Sequence, residues 1–193
     1  LFLQTNLGSD PFNVFVQGLF RAIPWPEWAG MTHGRVHLLV SLLIMVVLLV
    51  VDRSYVGIGT VLCMALGGPI IDVYTLWLAP FLNETLPLAV RVPLLAVGCV
   101  ILAFGMTIVI RSQAGTGPND LVAVVLSDKS GKPFGPVRIG VDLTFALVGF
   151  ALGGVVGIGT IICAFLVGPA AQLFFPVSEK ICVCVLNQFA GAN

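Results

Sequence analysis

Long apolar runs separated by short charged segments dominate the sequence and predict membrane-spanning α-helices. The nineteen uncharged residues between Arg91 and Arg111 match the roughly 20 helical residues that cross a bilayer core. The runs 36–51 and 54–82 predict two further spans, and the second run contains a single acid, Asp72, in its interior. The pattern therefore predicts an all-α protein that crosses the membrane several times.

Three remaining apolar segments complete the predicted helices. The uncharged run 143–178 is too long for one crossing, and its Gly153–Gly154 break predicts two helices joined by a tight turn. Segments 11–23 and 118–126 are shorter, and each follows a polar, glycine-containing turn and begins with proline, which is favoured in the first turn of a helix. With a truncated first helix at residues 1–6, the prediction is eight helices.

The orientation prediction depends on whether the two short helices cross the bilayer. If they cross, seven basic residues fall on one side and two on the other. The seven are Arg21, Arg35, Arg91, Lys129, Lys132, Arg138 and Lys180, and the two are Arg53 and Arg111. This bias predicts that the seven-charge side and both termini are cytoplasmic. Re-entrant short helices would largely remove the bias, so we expect crossing.

Matching sequence blocks indicate an internal duplication. The blocks, with their offsets, are Gly8-Ser-Asp-Pro11 with Gly115-Thr-Gly-Pro118 (107), Gly34-Arg-Val-His37 with Gly135-Pro-Val-Arg138 (101), and Gly57-Ile-Gly-Thr60 with Gly157-Ile-Gly-Thr160 (100). Four helices per half return the chain to its starting side, which predicts two repeats of the same orientation, as in transporters built from parallel repeats. The predicted boundaries are repeat 1 at 1–82, a cytoplasmic linker at 83–91, repeat 2 at 92–177 and a cytoplasmic tail at 178–193.

Composition narrows the class of protein. Apolar residues make up 58% of the chain and charged residues 9%, against about 25% charged in a soluble domain. The mean hydropathy is +1.08, and the formal net charge is zero, which gives no basis for binding nucleic acid. The chain also lacks metalloprotease, serine-hydrolase and P-loop motifs. We therefore predict no enzyme activity, no cofactor and no metal site, with the lipid bilayer as the main partner.

Two Gly/Pro turns mark the candidate solute or ion site, because interrupted helices at matching places in two halves point to a transporter site. Asp72 is added because a carboxylate inside a span suggests function, and Gln172 is its counterpart in the other half. The candidate residues are Ser9, Asp10, Asn13, Asp72, Thr116, Asn119, Asp120 and Gln172. The alternative is that the turn residues only cap two helices, and that Asp72 lies near water or pairs with Arg91.

Two further groups carry hypotheses. Arg138 and Asp142 are four residues apart on one helix and can form an ion pair, and the repeat places His37 opposite Arg138, which suggests a relay. For Arg138 itself we expect an interface-level structural role in which its head group reaches the membrane surface. The second group consists of small residues, for which we predict close helix packing and tight turns. Its members are Gly57, Gly59, Thr60, Gly153, Gly157, Gly159 and Thr160.

Four segments together resemble one known family. These segments are LGSDPFNVFVQGL, GIGTVLCMALGGPIID, AGTGPND and LGGVVGIGT, and they are similar to the YczE family of bacterial integral membrane proteins, related to the YitT-like group. The resemblance covers essentially the whole chain. It implies a polytopic protein of the bacterial cytoplasmic membrane, and it supplies no catalytic or binding residues.

The duplication and the polar residues inside spans favour one function. We expect a small-solute transporter or permease whose site lies where the repeats meet, with an unidentified small solute as its ligand. The alternative is a non-transporting scaffold or regulatory partner of another membrane complex, in which the repeat is only a packing solution. A homo-oligomer or a partner membrane protein is compatible with either hypothesis.

Overall fold

The computed structural model describes residues 8–26, 30–78 and 87–190, without the side chains of 67–69, 71–72, 74–76, 78, 186 and 188–190. These residues form seven α-helices: α1 (Pro11–Ala22), α2 (His33–Val51), α3 (Ile58–Leu78), α4 (Leu88–Arg111), α5 (Pro118–Ser130), α6 (Phe134–Ala151) and α7 (Ile158–Ala190). A 3-10 turn, Arg53–Tyr55, joins α2 to α3. The predicted truncated helix at 1–6 lies outside the described residues.

Four helices are long and apolar enough to cross a bilayer. They are α2, α4, α6 and the Ile158–Val185 part of α7. Large apolar side chains point outward from these helices: Val50 is 83% exposed and Leu173 is 77% exposed. Since such side chains are stable in lipid but not in water, the outer surface is suited to a bilayer. The prediction of an all-helical chain with several spans is confirmed.

The two short helices begin where the polar turns predict. The Asp10 side chain accepts a hydrogen bond from the Asn13 backbone N–H at 3.1 Å, which caps α1, and proline occupies the first turn. Pro118 likewise starts α5, and Gly131 ends it in the left-handed conformation with φ +64°. Glycine is the residue that tolerates this conformation after the last turn of a helix.

Helices α4 and α7 run in the same direction. Three side-chain pairs mark their alignment: Phe104 with Phe174 at 5.2 Å between ring centroids, Thr107 with Ser178 at 2.7 Å, and Arg111 with Glu179 at 3.5 Å. In these pairs, later residues of α4 contact later residues of α7, so the two helices cannot be antiparallel. Helix α6 runs opposite to α7, because a short turn joins them and the Gly135 N–H near the start of α6 donates to Gln172 at 3.1 Å.

Helix α5 begins beside the second turn of α6 and ends beside the end of α2. In its first turn, Asp120 reaches Arg138 of α6 at 2.6 Å. Leu121, one residue later, packs against Leu48 of α2. In its last turn, the Lys129 ammonium lies 3.5 Å from the carboxylate of Asp52, the residue that follows α2. Helix α5 therefore runs from mid-height to one end of the bundle.

Helix α4 ends at that same end of the bundle. Arg111, its last residue, lies over the Phe175 ring at 5.0 Å, and the same ring packs against Phe134, the first residue of α6, at 5.2 Å. Segment 112–117 consequently turns back into the bundle before α5 begins. We call this end, marked by Asp52, Arg111 and Lys129, the α5 end.

Helix α1 has the opposite placement. Phe12 in its first turn packs against Phe145 of α6 at 5.4 Å, while Arg21 in its last turn donates to the Gly153 carbonyl at 2.8 Å, just beyond the end of α6. Helix α2 then starts nearby, since His33 lies 6.5 Å from Phe20 between ring centroids. We call this end of the bundle the α1 end.

The prediction that the short helices cross the bilayer is not confirmed. Helix α5 has 13 residues, about 20 Å at 1.5 Å per residue, and a bilayer core of about 30 Å needs more. Segment 112–117 brings the chain back to mid-height, so both neighbours of α5 meet at one end. Helix α5 therefore enters the bundle and leaves it at the same end, and the predicted count of eight crossing helices is not confirmed among the described residues.

The predicted arrangement of two same-orientation repeats is also not confirmed. Helix α2 runs from the α1 end to the α5 end, whereas its repeat counterpart α6 runs from the α5 end to the α1 end. Lys129 therefore lies beside Asp52 and Arg53 instead of opposite them, and Arg111 lies beside Glu179. With these helix directions the seven-to-two partition of basic residues no longer applies, and the argument for cytoplasmic termini that rested on it is lost.

Two of the predicted boundaries fall within helices. The predicted linker 83–91 overlaps α4, which begins at Leu88. The predicted tail beginning at residue 178 is helical through Ala190, and Ser178 is fully buried. The apolar run ends at Glu179, but the helix continues there because Glu179 pairs with Arg111 at the surface.

Candidate functional site

A buried arginine forms two ion pairs in the middle of the bundle. The Nη1 atom of Arg138 lies 2.6 Å from Asp120 Oδ1, and Nε lies 3.0 Å from Asp142 Oδ2. The arginine side chain is 8% exposed and that of Asp142 is 2% exposed. A charge at this depth is costly unless an opposite charge is close to it. We call Asp120, Arg138 and Asp142 the central ion cluster.

The predicted Arg138–Asp142 pair is thus present, but Arg138 does not lie at the membrane interface. Its guanidinium is buried between carboxylates from α5 and α6. The spacing of four residues on one helix was sufficient to suggest the Asp142 contact. The Asp120 contact joins two helices, and helical spacing carries no information about it.

The start of α1 approaches the same part of α6 from the opposite side. The Asp10 carboxylate, held by the backbone and side-chain amides of Asn13, is close enough to act electrostatically on both Asp142 and His37. The His37 ring packs edge-on against Phe12 with 5.2 Å between centroids. Both short helices therefore direct their first turns at one region, where carboxylates outnumber the single guanidinium.

Other predicted site residues lie outside the cluster. The Asn119 amide donates to Asp120 at 3.1 Å and supports it. Thr116 is buried and lines a cavity that also contains Gln172. The Asp72 side chain lies outside the part of the chain that the structure describes, so the proposed pairing of Asp72 with Gln172 has no structural counterpart here.

Each Gly-containing turn packs against the Gly-Ile-Gly-Thr block of the other half. A Cβ atom on Gly8 would lie 2.9 Å from Gly157 Cα, and one on Gly115 would lie 3.0 Å from Gly57 Cα. Both turn glycines have positive φ, +113° and +91°, so side chains are disfavoured there by conformation as well as by space. Gly57 and Gly59 thus lie against the turn of the other half, whereas a Cβ atom on Gly153, which was in the same predicted group, would meet no atom within 4 Å.

The two threonines of these blocks differ in their contacts. Thr160 Oγ1 donates to the Ser9 carbonyl at 2.6 Å. Thr60 Oγ1 is fully buried, and it has no hydrogen-bond partner among the residues that the structure describes. At that junction the Gly59 backbone N–H instead donates to the Ala114 carbonyl at 2.6 Å. Gly159 lies in the first turn of α7.

A cavity of about 760 Å³ opens beside α5. Its lining includes Tyr55 of the 3-10 turn, Thr116 and Val124 of the α5 region, and Gln172 of α7. Arg111 and Lys132 line the mouth at the α5 end, and Thr116 lies close to the start of α5. The cavity thus extends from one end of the bundle towards its middle.

Sequence reasoning missed the residues that tie α1 to the α6–α7 turn. The Gln17 side chain accepts from the Val155 N–H at 2.8 Å, and Arg21 donates to the Gly153 carbonyl. Arg21 entered the prediction only as one charge in a count of basic residues. No periodicity or motif marks these contacts, because they join segments more than 130 residues apart.

These features define a polytopic helical membrane protein with a charged centre. The chain belongs to DUF6198, a family of unknown function whose model matches residues 1–176, and the predicted resemblance to YczE is confirmed. The uncharacterized membrane protein YczE of Bacillus subtilis (strain 168) is 28% identical over 175 residues, which cover 91% of this chain and 77% of the relative.

Two further relatives match over similar lengths. An uncharacterized protein of Haemophilus influenzae is 28% identical over 94% of this chain and 78% of its own. The uncharacterized protein YyaS of Bacillus subtilis is 25% identical over 93% of this chain and 86% of its own. No solved structure matches the chain.

Proposed function

We propose that the protein is a small-solute permease of the bacterial cytoplasmic membrane, built from two inverted repeats, and that it is not an enzyme. Its solute site lies at the central ion cluster, between the starts of α1 and α5. The observation that carries this proposal is that two short helices begin near a buried Arg138 held by two carboxylates.

The repeat blocks and the helix directions together support inversion. The blocks pair α1 with α5 and α2 with α6 along the sequence. Each pair points in opposite directions, as an approximate twofold axis in the membrane plane would require. Each short helix also packs on the long helix of the other half: α1 packs on α6, and α5 packs on α2. Inverted repeats of this kind are common in secondary transporters.

The position of the short helices supports a solute site. Transporters bind substrate near the bilayer midplane, where discontinuous helices expose unpaired backbone groups and the positive ends of their dipoles. Asp10 and Asp120, in or next to the first turns of α1 and α5, supply carboxylates at the corresponding places. Such an arrangement favours a solute with a cationic or hydrogen-bond-donating group, because carboxylates outnumber the arginine.

The experiment is solute-induced current or uptake in proteoliposomes, screened with a panel of small amines, amino acids and inorganic cations. Asp120→Asn and Asp142→Asn are expected to reduce any wild-type flux at least tenfold. Glu179→Gln is the matched control, because it removes an exposed carboxylate at the α5 end and is expected to leave flux unchanged.

Equal flux in Asp120→Asn, Asp142→Asn and wild type would show that the site is misplaced. Absence of flux for the whole panel, together with stoichiometric co-purification of another membrane protein, would instead support the scaffold alternative. Both measurements use the full chain in lipid.

A further inference from the structure

We propose that the interface between α1 and residues 153–160 is a gate at the α1 end and that it is closed in this structure. The corresponding interface at the α5 end is the second gate, and the cavity beside α5 shows it open. This inference rests on the proposed permease function and names the step by which it works. Exchange between the two interfaces would expose the central ion cluster to one side of the membrane at a time.

Three hydrogen bonds close the α1 interface along its length. Near the middle of the bundle, Thr160 donates to the Ser9 carbonyl at 2.6 Å. About two helical turns further along α1, Gln17 accepts from the Val155 N–H at 2.8 Å. At the surface, Arg21 donates to the Gly153 carbonyl at 2.8 Å. Val14, behind these contacts, is completely buried.

The corresponding α5 interface borders the cavity at two of the equivalent residues and lacks the hydrogen bond at a third. Offsets of 100 and 107 relate Thr160 to Thr60, Val155 to Tyr55 and Gln17 to Val124. Tyr55 and Val124 line the 760 Å³ cavity, and the Thr60 hydroxyl, although fully buried, has no hydrogen-bond partner among the described residues. The hydroxyl that seals one interface is thus left unsatisfied at the other.

The contacts that persist at the α5 interface identify the hinge. Gly59 still donates to the Ala114 carbonyl at 2.6 Å, and Lys129 still pairs with Asp52 at 3.5 Å. These contacts hold the two ends of the interface while its middle is open. Because a buried hydroxyl without a partner is unfavourable, closure around Thr60 would recover free energy as the Thr160 contact is lost.

Reactive-cysteine labelling in proteoliposomes tests the gate. The five native cysteines are replaced, and Val124→Cys or Val14→Cys is introduced as a reporter for a membrane-impermeant maleimide. Val124→Cys is expected to react from the α5 end, and Val14→Cys is expected to be protected. In the background of Arg21→Gln with Thr160→Val, Val14→Cys should react about tenfold faster, because two hydrogen bonds across the interface are lost.

The matched control is Arg53→Gln with Thr144→Val. The Thr144 hydroxyl donates only to the Gly140 carbonyl within α6, so its loss is expected to change neither reporter. If Val14→Cys stays protected in the gate variant while Val124→Cys keeps its reactivity, the protein is folded and the gate is refuted. An equal gain in the control variant would also refute it.

A pair of disulfide cross-links provides a second measurement that does not need a weakened gate. Gln17→Cys with Val155→Cys, which join across the closed interface, is expected to oxidise readily. Val124→Cys with Tyr55→Cys, which line the cavity at the equivalent positions, should oxidise at least about tenfold more slowly. Equal rates would overturn the asymmetry. If solute flux is measured but the labelling rate of Val14→Cys does not rise in the gate variant, the gate is refuted and the permease assignment stands. If the labelling rate rises but no solute flux is measured, the permease assignment alone is refuted.

Discussion

The ammonium group of Lys129 lies 3.5 Å from the carboxylate of Asp52. Two hydrogen bonds from Ser54, at 2.7 and 3.1 Å, lower the pKa of Asp52, and the nearby Lys129 adds to the effect. The carboxylate therefore remains charged at neutral pH and can pair with the ammonium. Because Asp52 ends α2 and Lys129 ends α5, this contact places the ends of two helices from different halves on one face of the membrane.

Labelling from each side of the membrane tests this topology. Cysteines at Ser54 and Ser130 are expected to react with a membrane-impermeant maleimide from the same side, because both flank the Asp52–Lys129 pair. A cysteine at Ile23, just past the end of α1, is expected to react only from the opposite side. Reaction of Ser54→Cys and Ser130→Cys from opposite sides would show that α5 crosses the bilayer.

Glycine contacts between α1 and α6 lead to a prediction about stability. A Cβ atom on Gly149 would lie 2.6 Å from Phe15 Cα, closer than packed atoms can approach, and the obstacle is backbone. We expect Gly149→Ala to lower the free energy of unfolding by about 1–3 kcal/mol, measured by thermal unfolding in detergent micelles.

The control for this substitution lies on the same helix. A Cβ on Gly140 would meet no atom within 4 Å. Gly140→Ala is therefore expected to be neutral or to stabilise by up to about 1 kcal/mol, since glycine is unfavourable inside a helix. Equal destabilisation by both substitutions would show that helix α6 is intolerant of alanine for a reason other than contact with α1.

The spans could be predicted from sequence because bilayer thickness fixes their length. The apolar run between Arg91 and Arg111 appears in the structure as α4, and the Gly153–Gly154 break appears as the turn before α7. The short helices were also predicted, since the Asp10–Pro11 cap and the Gly117–Pro118 step are local signals. These features depend on neighbouring residues only.

The direction of the second half could not be predicted in the same way. It depends on whether segment 112–117 continues outward or turns back towards Asp120, and this is decided by contacts of Gly115 with Gly57, far away in sequence. The count of basic residues assumed crossing helices and could not test that assumption. Within the candidate site, the spacing of four residues on one helix predicted the contact of Arg138 with Asp142. The contact of Arg138 with Asp120 joins two helices and could not be predicted from spacing.

The parallel alignment of α4 and α7 leads to a cross-linking prediction. Thr107 and Ser178 share a buried hydrogen bond of 2.7 Å between hydroxyl oxygens. In a background without native cysteines, Thr107→Cys with Ser178→Cys is expected to form a disulfide under mild oxidation, detected by a mobility shift. Thr107→Cys with Ala164→Cys is the control, because Ala164 is buried near the opposite end of α7 and should not cross-link. A disulfide in the control alone would indicate an antiparallel pair.

The central ion cluster leads to the strongest prediction about stability. Replacing Arg138 with glutamine leaves Asp120 and the buried Asp142 without their counter-charge, and breaking a buried pair in this way costs about 3–5 kcal/mol. We expect Arg138→Gln to lower the thermal midpoint markedly. The double variant Arg138→Gln with Asp142→Asn should recover part of the loss, because one uncompensated charge is removed.

The comparison for Arg138 is Arg111, which forms a 3.5 Å pair with Glu179 in which the side chains are 44% and 58% exposed. Exposed pairs contribute about 0–1 kcal/mol, so Arg111→Gln is expected to change the midpoint little. If Arg138→Gln proved as mild as Arg111→Gln, the guanidinium would not be buried between carboxylates, and the solute site proposed at this cluster would lose its electrostatic basis. If the double variant showed no recovery, Asp142 would not be coupled to Arg138.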